Sequence, residues 1–140
     1  AGREAADSAG IPFVLNARTD VYLYNKGATP EMFDEAVLRA NAYYAAGARC
    51  VYVPGVADAG LIQQLTNAID GPLNILAGPT SPSTAELQAM GVARVSIGGS
   101  LARACLSLVE NAAAELRDAG TYGYGKDNFS NAALNKRFAT

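Results

Sequence analysis

The chain has 140 residues, half of them apolar, with 11 basic and 13 acidic side chains and a net charge of −2. That is one domain's worth of chain with enough apolar content for a sizeable core, and no basic stripe is present to neutralise a phosphate backbone, which argues against nucleic-acid binding. The absence of histidine removes His-based zinc sites and a Ser-His-Asp triad, and no apolar run approaches the roughly 18 residues of a bilayer span, which argues against a membrane protein.

In chain order, Ala1-Gly2-Arg3-Glu4-Ala5-Ala6-Asp7-Ser8-Ala9-Gly10 is neither a signal peptide nor a natural initiation point. It reads as the tail of a helix, with Gly10 in the left-handed cap that precedes a strand. Residues 13–20 read as a strand whose apolar run ends in an amide, a guanidinium, a hydroxyl and a carboxylate. Period-2 alternation puts Val14, Asn16, Arg18 and Asp20 on one face and Phe13, Leu15, Ala17 and Thr19 on the other. Residues 21–28, with Tyr22, Tyr24, Asn25, Lys26 and Gly27, are long enough to act as a loop over a site.

Thr29-Pro30-Glu31 opens a helix, with Thr29 as N-cap and Pro30 at the first helical position. Phe33, Ala36, Val37, Ala40 and Tyr44 form its buried face, while Glu35 and Arg39 form a solvated pair on the other side. A second strand, Cys50-Val51-Tyr52-Val53, ends in Pro54-Gly55, and Leu61, Ile62, Leu65, Ala68 and Ile69 trace the next helix. A third strand, Leu73-Asn74-Ile75-Leu76, precedes a capping box of Ser83 with Glu86. A fourth, Arg94-Val95-Ser96-Ile97, leads into Gly98-Gly99-Ser100 and a helix over residues 101–118, with Leu101, Leu108, Ala112 and Leu116 on its inner side. Cys50 and Cys105 lack CxxC spacing and read as ordinary buried thiols of a reducing cytosol.

Four strand–helix units with nearly continuous apolar strands require parallel strands covered by helices. Two architectures satisfy this. One is a four-stranded open α/β sheet, although no GxGxxG or P-loop follows any strand. The other is half of a (β/α)8 TIM barrel, since about 250 residues is typical of the whole. In either, chemistry belongs at the strand C-termini.

Arg18 is the leading candidate there, because its planar fork holds a carboxylate or phosphonate through two parallel hydrogen bonds and stays charged. A structural Arg18–Asp20 pair is the plainer reading of the same residues. Asn16 and Asn74 are strand-borne amides that either orient substrate oxygens or satisfy nearby backbone groups. Gly98-Gly99-Ser100 either receives an anion or makes a tight turn capped by Ser100. Glu31, Glu86, Glu110 and Glu115 fall on helices away from the strand ends, and Asp20 alone makes a poor magnesium site.

The motifs Phe13-Val14-Leu15-Asn16-Ala17-Arg18-Thr19-Asp20, Val51-Tyr52-Val53-Pro54-Gly55-Val56, Pro72-Leu73-Asn74-Ile75-Leu76-Ala77 and Gly91-Val92-Ala93-Arg94-Val95-Ser96-Ile97-Gly98-Gly99 resemble, in that order, the second half of the isocitrate lyase/phosphoenolpyruvate mutase superfamily. The closest look is to its carboxyvinyl-carboxyphosphonate phosphorylmutase-like and 2-methylisocitrate-lyase-like members. The resemblance implies strands 5–8 of a (β/α)8 barrel, in an enzyme that makes or breaks C–C or P–C bonds next to a carboxylate with Mg2+. It implies Arg18 as the catalytic and substrate-gripping arginine, with Asn16, Thr19 and Asp20 shaping its surroundings and Asn74 contributing to substrate binding.

By the same resemblance, the metal-binding acids and the mobile catalytic loop lie in the N-terminal half-barrel, leaving no metal ligand in this chain. The helix after Ser100 is the one exchanged between subunits of a homo-oligomer. Residues 1–118 are then the half-barrel and residues 119–140 a C-terminal helical extension. Pro54-Gly55 stands where the isocitrate- and methylisocitrate-cleaving members carry an acid, which argues against those two substrates. Phosphonopyruvate or oxaloacetate hydrolase-decarboxylase chemistry is an alternative within the superfamily. A non-catalytic α/β assembly module is an alternative outside it, because half a barrel leaves two open strand edges and an apolar strip on its interior face.

Overall fold

Each apolar run of the sequence pairs with the next one along the chain. Strands β1 (Asn16–Arg18), β2 (Cys50–Val53), β3 (Leu73–Leu76) and β4 (Arg94–Ser96) form one sheet in the order β1-β2-β3-β4, with every pairing parallel. Helix α1 (Gly2–Ser8) precedes β1, and α2 (Pro30–Ala45), α3 (Ala59–Ala68) and α4 (Thr84–Ala89) connect the strands. The computed structural model describes residues 1–24 and 29–139, so part of the loop expected over residues 21–28 lies outside the described residues. The chain divides into two compact units, Ala1–Gly98 and Gly99–Thr140.

The core of the first unit lies between one face of the sheet and helices α2, α3 and α4. Val51, Val53, Leu73 and Ile75 from the strands meet Ala36 and Ala40 of α2, Ile62 and Leu65 of α3, and Leu87 of α4. Small residues on α2 let that helix lie close to the sheet, which explains why Ala36 and Ala40 are fully buried while the larger Phe33, Val37 and Tyr44 of the same stripe pack at its margin.

Local signals set the helix starts as expected. The Thr29 side chain accepts from the Met32 N–H at 3.3 Å, and Ser83 and Glu86 form the reciprocal capping box. Asp58 also caps α3, accepting from the Leu61 N–H at 2.8 Å, a signal absent from the sequence reading. Glu35 and Arg39 pair on the solvated side of α2 at 2.5 Å.

Other expectations are corrected. The strand expected over residues 13–20 is regular only over Asn16–Arg18, and Phe13 and Val14 are exposed, because β1 is an edge strand with a neighbour on one side only. Ser100 does not cap the last long helix: α5 (Ser100–Asp118) has Gly99 at its N-cap with no side-chain hydrogen bond. Cys105 is exposed on α5, whereas Cys50 is buried in β2 as expected.

In the second unit, α5 is followed by a 3-10 turn (Gly123–Gly125) and α6 (Asn131–Phe138). The Leu101, Leu108, Ala112 and Leu116 stripe expected to face inward contains no buried residue. Leu108, Ala112 and Leu116 instead line an apolar groove of about 370 Å3 together with Tyr124. The turn is held by the Glu115 carboxylate, which accepts from the Thr121 hydroxyl and the Gly123 N–H at 2.6 Å and from the Tyr124 N–H at 3.0 Å. These bonds hold the Glu115 carboxyl below the usual carboxylate range. Among the described residues, no helix is long and apolar enough to cross a membrane.

Candidate active site

Register decides which strand side chains meet. Arg18 pairs with Tyr52, Tyr52 with Asn74, and Asn74 with Arg94. Paired residues of neighbouring strands project from the same side of a sheet, so these four form a row. Asn16 with Cys50, and Leu76 with Ser96, extend the same face. The opposite face carries Ala17, Val51, Leu73, Ile75 and Val95 and is the one the helices cover. An apolar strip on the interior face is therefore not found; the face turned away from the helices is predominantly polar, with Arg18 and Arg94 exposed on it.

Arg18 and Asp20 are brought together. Asp20 lies 2.8 Å from the Arg18 Nε through Oδ1, and the Arg18 Nη2 donates to its Oδ2 at 3.1 Å. One hydrogen bond from Nη2 and the ion-pair approach at Nε keep the carboxylate on the Nε/Nη2 edge, which leaves the Nη1 side of the guanidinium for another acceptor. Among the described residues no hydrogen bond or ion pair takes that second edge. The Arg18 side chain is 52% exposed. The structural pair and the anion-binding reading are thus compatible: Asp20 aims the arginine and does not occupy it.

Asn74 is fully buried within the row. Its Nδ2 donates to the Ser96 Oγ at 3.1 Å, while that hydroxyl lies 3.2 Å from its Oδ1. The amide is thereby tied to β4. Two strand spacings separate Arg18 from Asn74, about 10 Å across the sheet. Thr19 is not brought into the row. It is 1% exposed at the end of β1, with its N–H donating to the Tyr52 carbonyl at 3.0 Å and its Oγ1 unpartnered among the described residues. The Asn16 Oδ1, the Tyr22 hydroxyl and the Asp20 Oδ1 are likewise buried without a hydrogen bond among the described residues, the last despite its ion-pair approach to the Arg18 Nε, so the unpaired polar atoms concentrate around β1.

Tyr52 and Arg94 belong to the row but were not singled out from sequence. Alternation along β2 and β4 was available as a signal, but it does not say which residues of two strands stand side by side. Burial pushes the Tyr52 phenol up, opposed by the charges of Arg18 and Arg94 and reinforced by Asp20. Burial also pushes the Cys50 thiol up, so it is a poor nucleophile at neutral pH.

Among the described residues, no group of three or more His, Cys, Asp or Glu side chains is placed to hold a metal ion. Asp20 is the acid nearest Arg18 in sequence, and it is engaged by that arginine. These residues do not by themselves fit the several oxygen ligands that Mg2+ requires.

Four parallel strands in sequential order, helices on one face and a polar face carrying an arginine at a strand end define the class: a half (β/α)8-barrel unit of the kind that places chemistry at strand C-termini. Residues 1–117 match the phosphoenolpyruvate phosphomutase family, and the chain belongs to it. A protein from Burkholderia cenocepacia J2315, provisionally assigned as a lyase/mutase, is 37% identical with a TM-score of 0.86, over 99% of this chain and 49% of its own. A second protein from the same organism, provisionally assigned as a phosphonomutase, is 38% identical with a TM-score of 0.72, over 84% and 47%. Phosphoenolpyruvate phosphomutase from Streptomyces platensis subsp. rosaceus is 25% identical with a TM-score of 0.63, over 90% and 43%. The chain therefore spans about half the length of the solved structures it matches. No curated protein matches it.

Proposed function

We propose that this chain supplies the carboxylate-gripping side of an active site acting on C–C or P–C bonds of small 2-oxo or 2-hydroxy carboxylates. The observation that carries the reading is the second edge of the Arg18 guanidinium, left available by the Asp20 pair on the face away from the helices. Membership of a family whose similar structures include lyases and mutases supports it.

Cleaving a bond adjacent to a carboxylate leaves an electron pair that spreads into an enolate. A fixed guanidinium on that carboxylate lowers the cost of the developing charge. Asp20 orients the guanidinium, and the Asn74–Ser96 pair keeps β3 and β4 in register beside it. The remaining machinery, with any Mg2+ ligands and the general base, is assigned to a complementary N-terminal half-barrel. Residues 119–140 are read as a helical extension, and α5 as a helix exchanged in a homo-oligomer.

The test is titration of the chain with oxalate, followed through Arg18 side-chain NMR signals. Oxalate should perturb Arg18, and Arg18→Gln should weaken binding about 10- to 100-fold, the range expected for a charge-assisted pair. Equal binding by Arg18→Gln would remove Arg18 from the site.

A further inference from the structure

The loop after β2 touches the turn after β1 at Gly55. Gly55 has a φ of +92°, and a Cβ placed on it would lie 2.7 Å from the Tyr22 O, 2.8 Å from the Tyr22 C and 2.9 Å from the Leu23 N. All three are backbone atoms, so no side-chain rotation relieves the contact. The loop cannot easily retreat either, because Pro54 and Val56 on both sides of Gly55 are buried and the Tyr22 side chain is packed in the core. The touched segment is the turn in which the Leu23 N–H donates to the Asp20 carbonyl at 3.1 Å. Asp20, at the start of that turn, holds the Nε/Nη2 edge of Arg18.

We propose that Gly55 is a positioning residue: by admitting the backbone of the Asp20–Leu23 turn into van der Waals contact, it sets where the Asp20 carboxylate stands and so which edge of Arg18 faces the polar side of the sheet. The functional weight of this placement rests on reading Arg18 as an anion-binding group. The placement itself does not. Any side chain at position 55 displaces the turn, and the displacement reaches Arg18 through two links, the turn hydrogen bond and the ion pair. The Pro54-Gly55 sequence then has a reason local to this chain: the loop after β2 must carry a residue with no side chain there because the neighbouring turn occupies that space.

Gly91 provides a matched control. It has a φ of +88°, but its nearest Cβ contact is Thr66 Cβ at 3.9 Å, so Gly91→Ala carries the backbone strain without the collision. The readout is the Arg18 Nε–H resonance of the 15N-labelled full chain, assigned through its loss in Arg18→Lys. Gly55→Ala and Asp20→Asn should both shift that resonance, whereas Gly91→Ala should leave it unmoved. An unchanged resonance in Gly55→Ala, or an equal change in Gly91→Ala, would overturn the proposal.

Should Gly55→Ala fail to fold, the unmutated chain still decides the matter. In urea below the global unfolding transition, the Leu23 N–H and the Arg18 Nη2 N–H bonded to Asp20 should lose protection together if one turn governs both, and independent loss would refute the coupling. Oxalate titration of the same samples separates the two readings. If oxalate leaves Arg18 untouched in the wild-type chain while Gly55→Ala still moves its Nε–H, the anion-binding role falls and the positioning role stands.

Discussion

The two faces of the sheet are built from alternate residues of the same four strands, yet they serve opposite ends. On the helix side, Val51, Val53 and Ile75 are fully buried among residues of α2, α3 and α4. On the other side, Arg18, Tyr52, Asn74 and Arg94 line up with two exposed guanidinium groups among them. Buried apolar packing is concentrated on one face and the candidate site on the other. A residue's face, more than its strand, should decide what its loss costs.

The largest effect is expected on the helix side. Ile75→Ala should destabilise the chain by about 2–5 kcal/mol in urea unfolding, because a fully buried side chain leaves a cavity that the surrounding helices fill only in part. Arg18→Gln, on the other face, should change stability by less than about 1 kcal/mol, as expected when a solvent-exposed ion pair is lost. Comparable losses in the two variants would break the division between the faces.

An intermediate effect marks where the polar face is itself sealed. Ser96→Ala should cost about 1–3 kcal/mol, since it strips the buried Asn74 amide of its partner. A neutral Ser96→Ala would mean that the amide finds another partner and that the row is open throughout.

The smallest effect lies in the second unit, which has no comparable core. Glu115 has a lowered folded pKa, so the stability it lends to the turn is fully present above the ordinary Glu value of about 4.3 and is lost as pH falls through the lowered value. Acid titration should release the Gly123 and Tyr124 amides, seen as faster hydrogen exchange, before the sheet of the first unit unfolds. Simultaneous loss of the two would argue against a separate latch.

Much of the first unit was legible in the residues. The limits of β2 and β3, the capping box at Ser83 and the Thr29-Pro30 helix start follow from local propensity and hydrogen-bonding chemistry that act within a few positions. The candidate site was legible in part. Arg18 and Asp20 share a face by alternation alone, and the ion pair between them follows. Thr19, adjacent in sequence, turns out buried, and Asn74, though on the same face, stands two strands away. Tyr52, Arg94 and the Gly55 contact were not legible, because each depends on segments that are distant along the chain.

The sequence by itself determined the alternation of strands and helices, the parallel class of sheet and the presence of an arginine at a strand end. These follow from periodicity, caps and chemical type, which are local properties. Only the tertiary structure decided that the face away from the helices is polar, that Asp20 takes one edge of Arg18 and leaves the other, and that Gly55 meets the turn behind them. Register and loop contact join residues with no short-range coupling, and packing of the whole sheet against its helices is what selects one such arrangement.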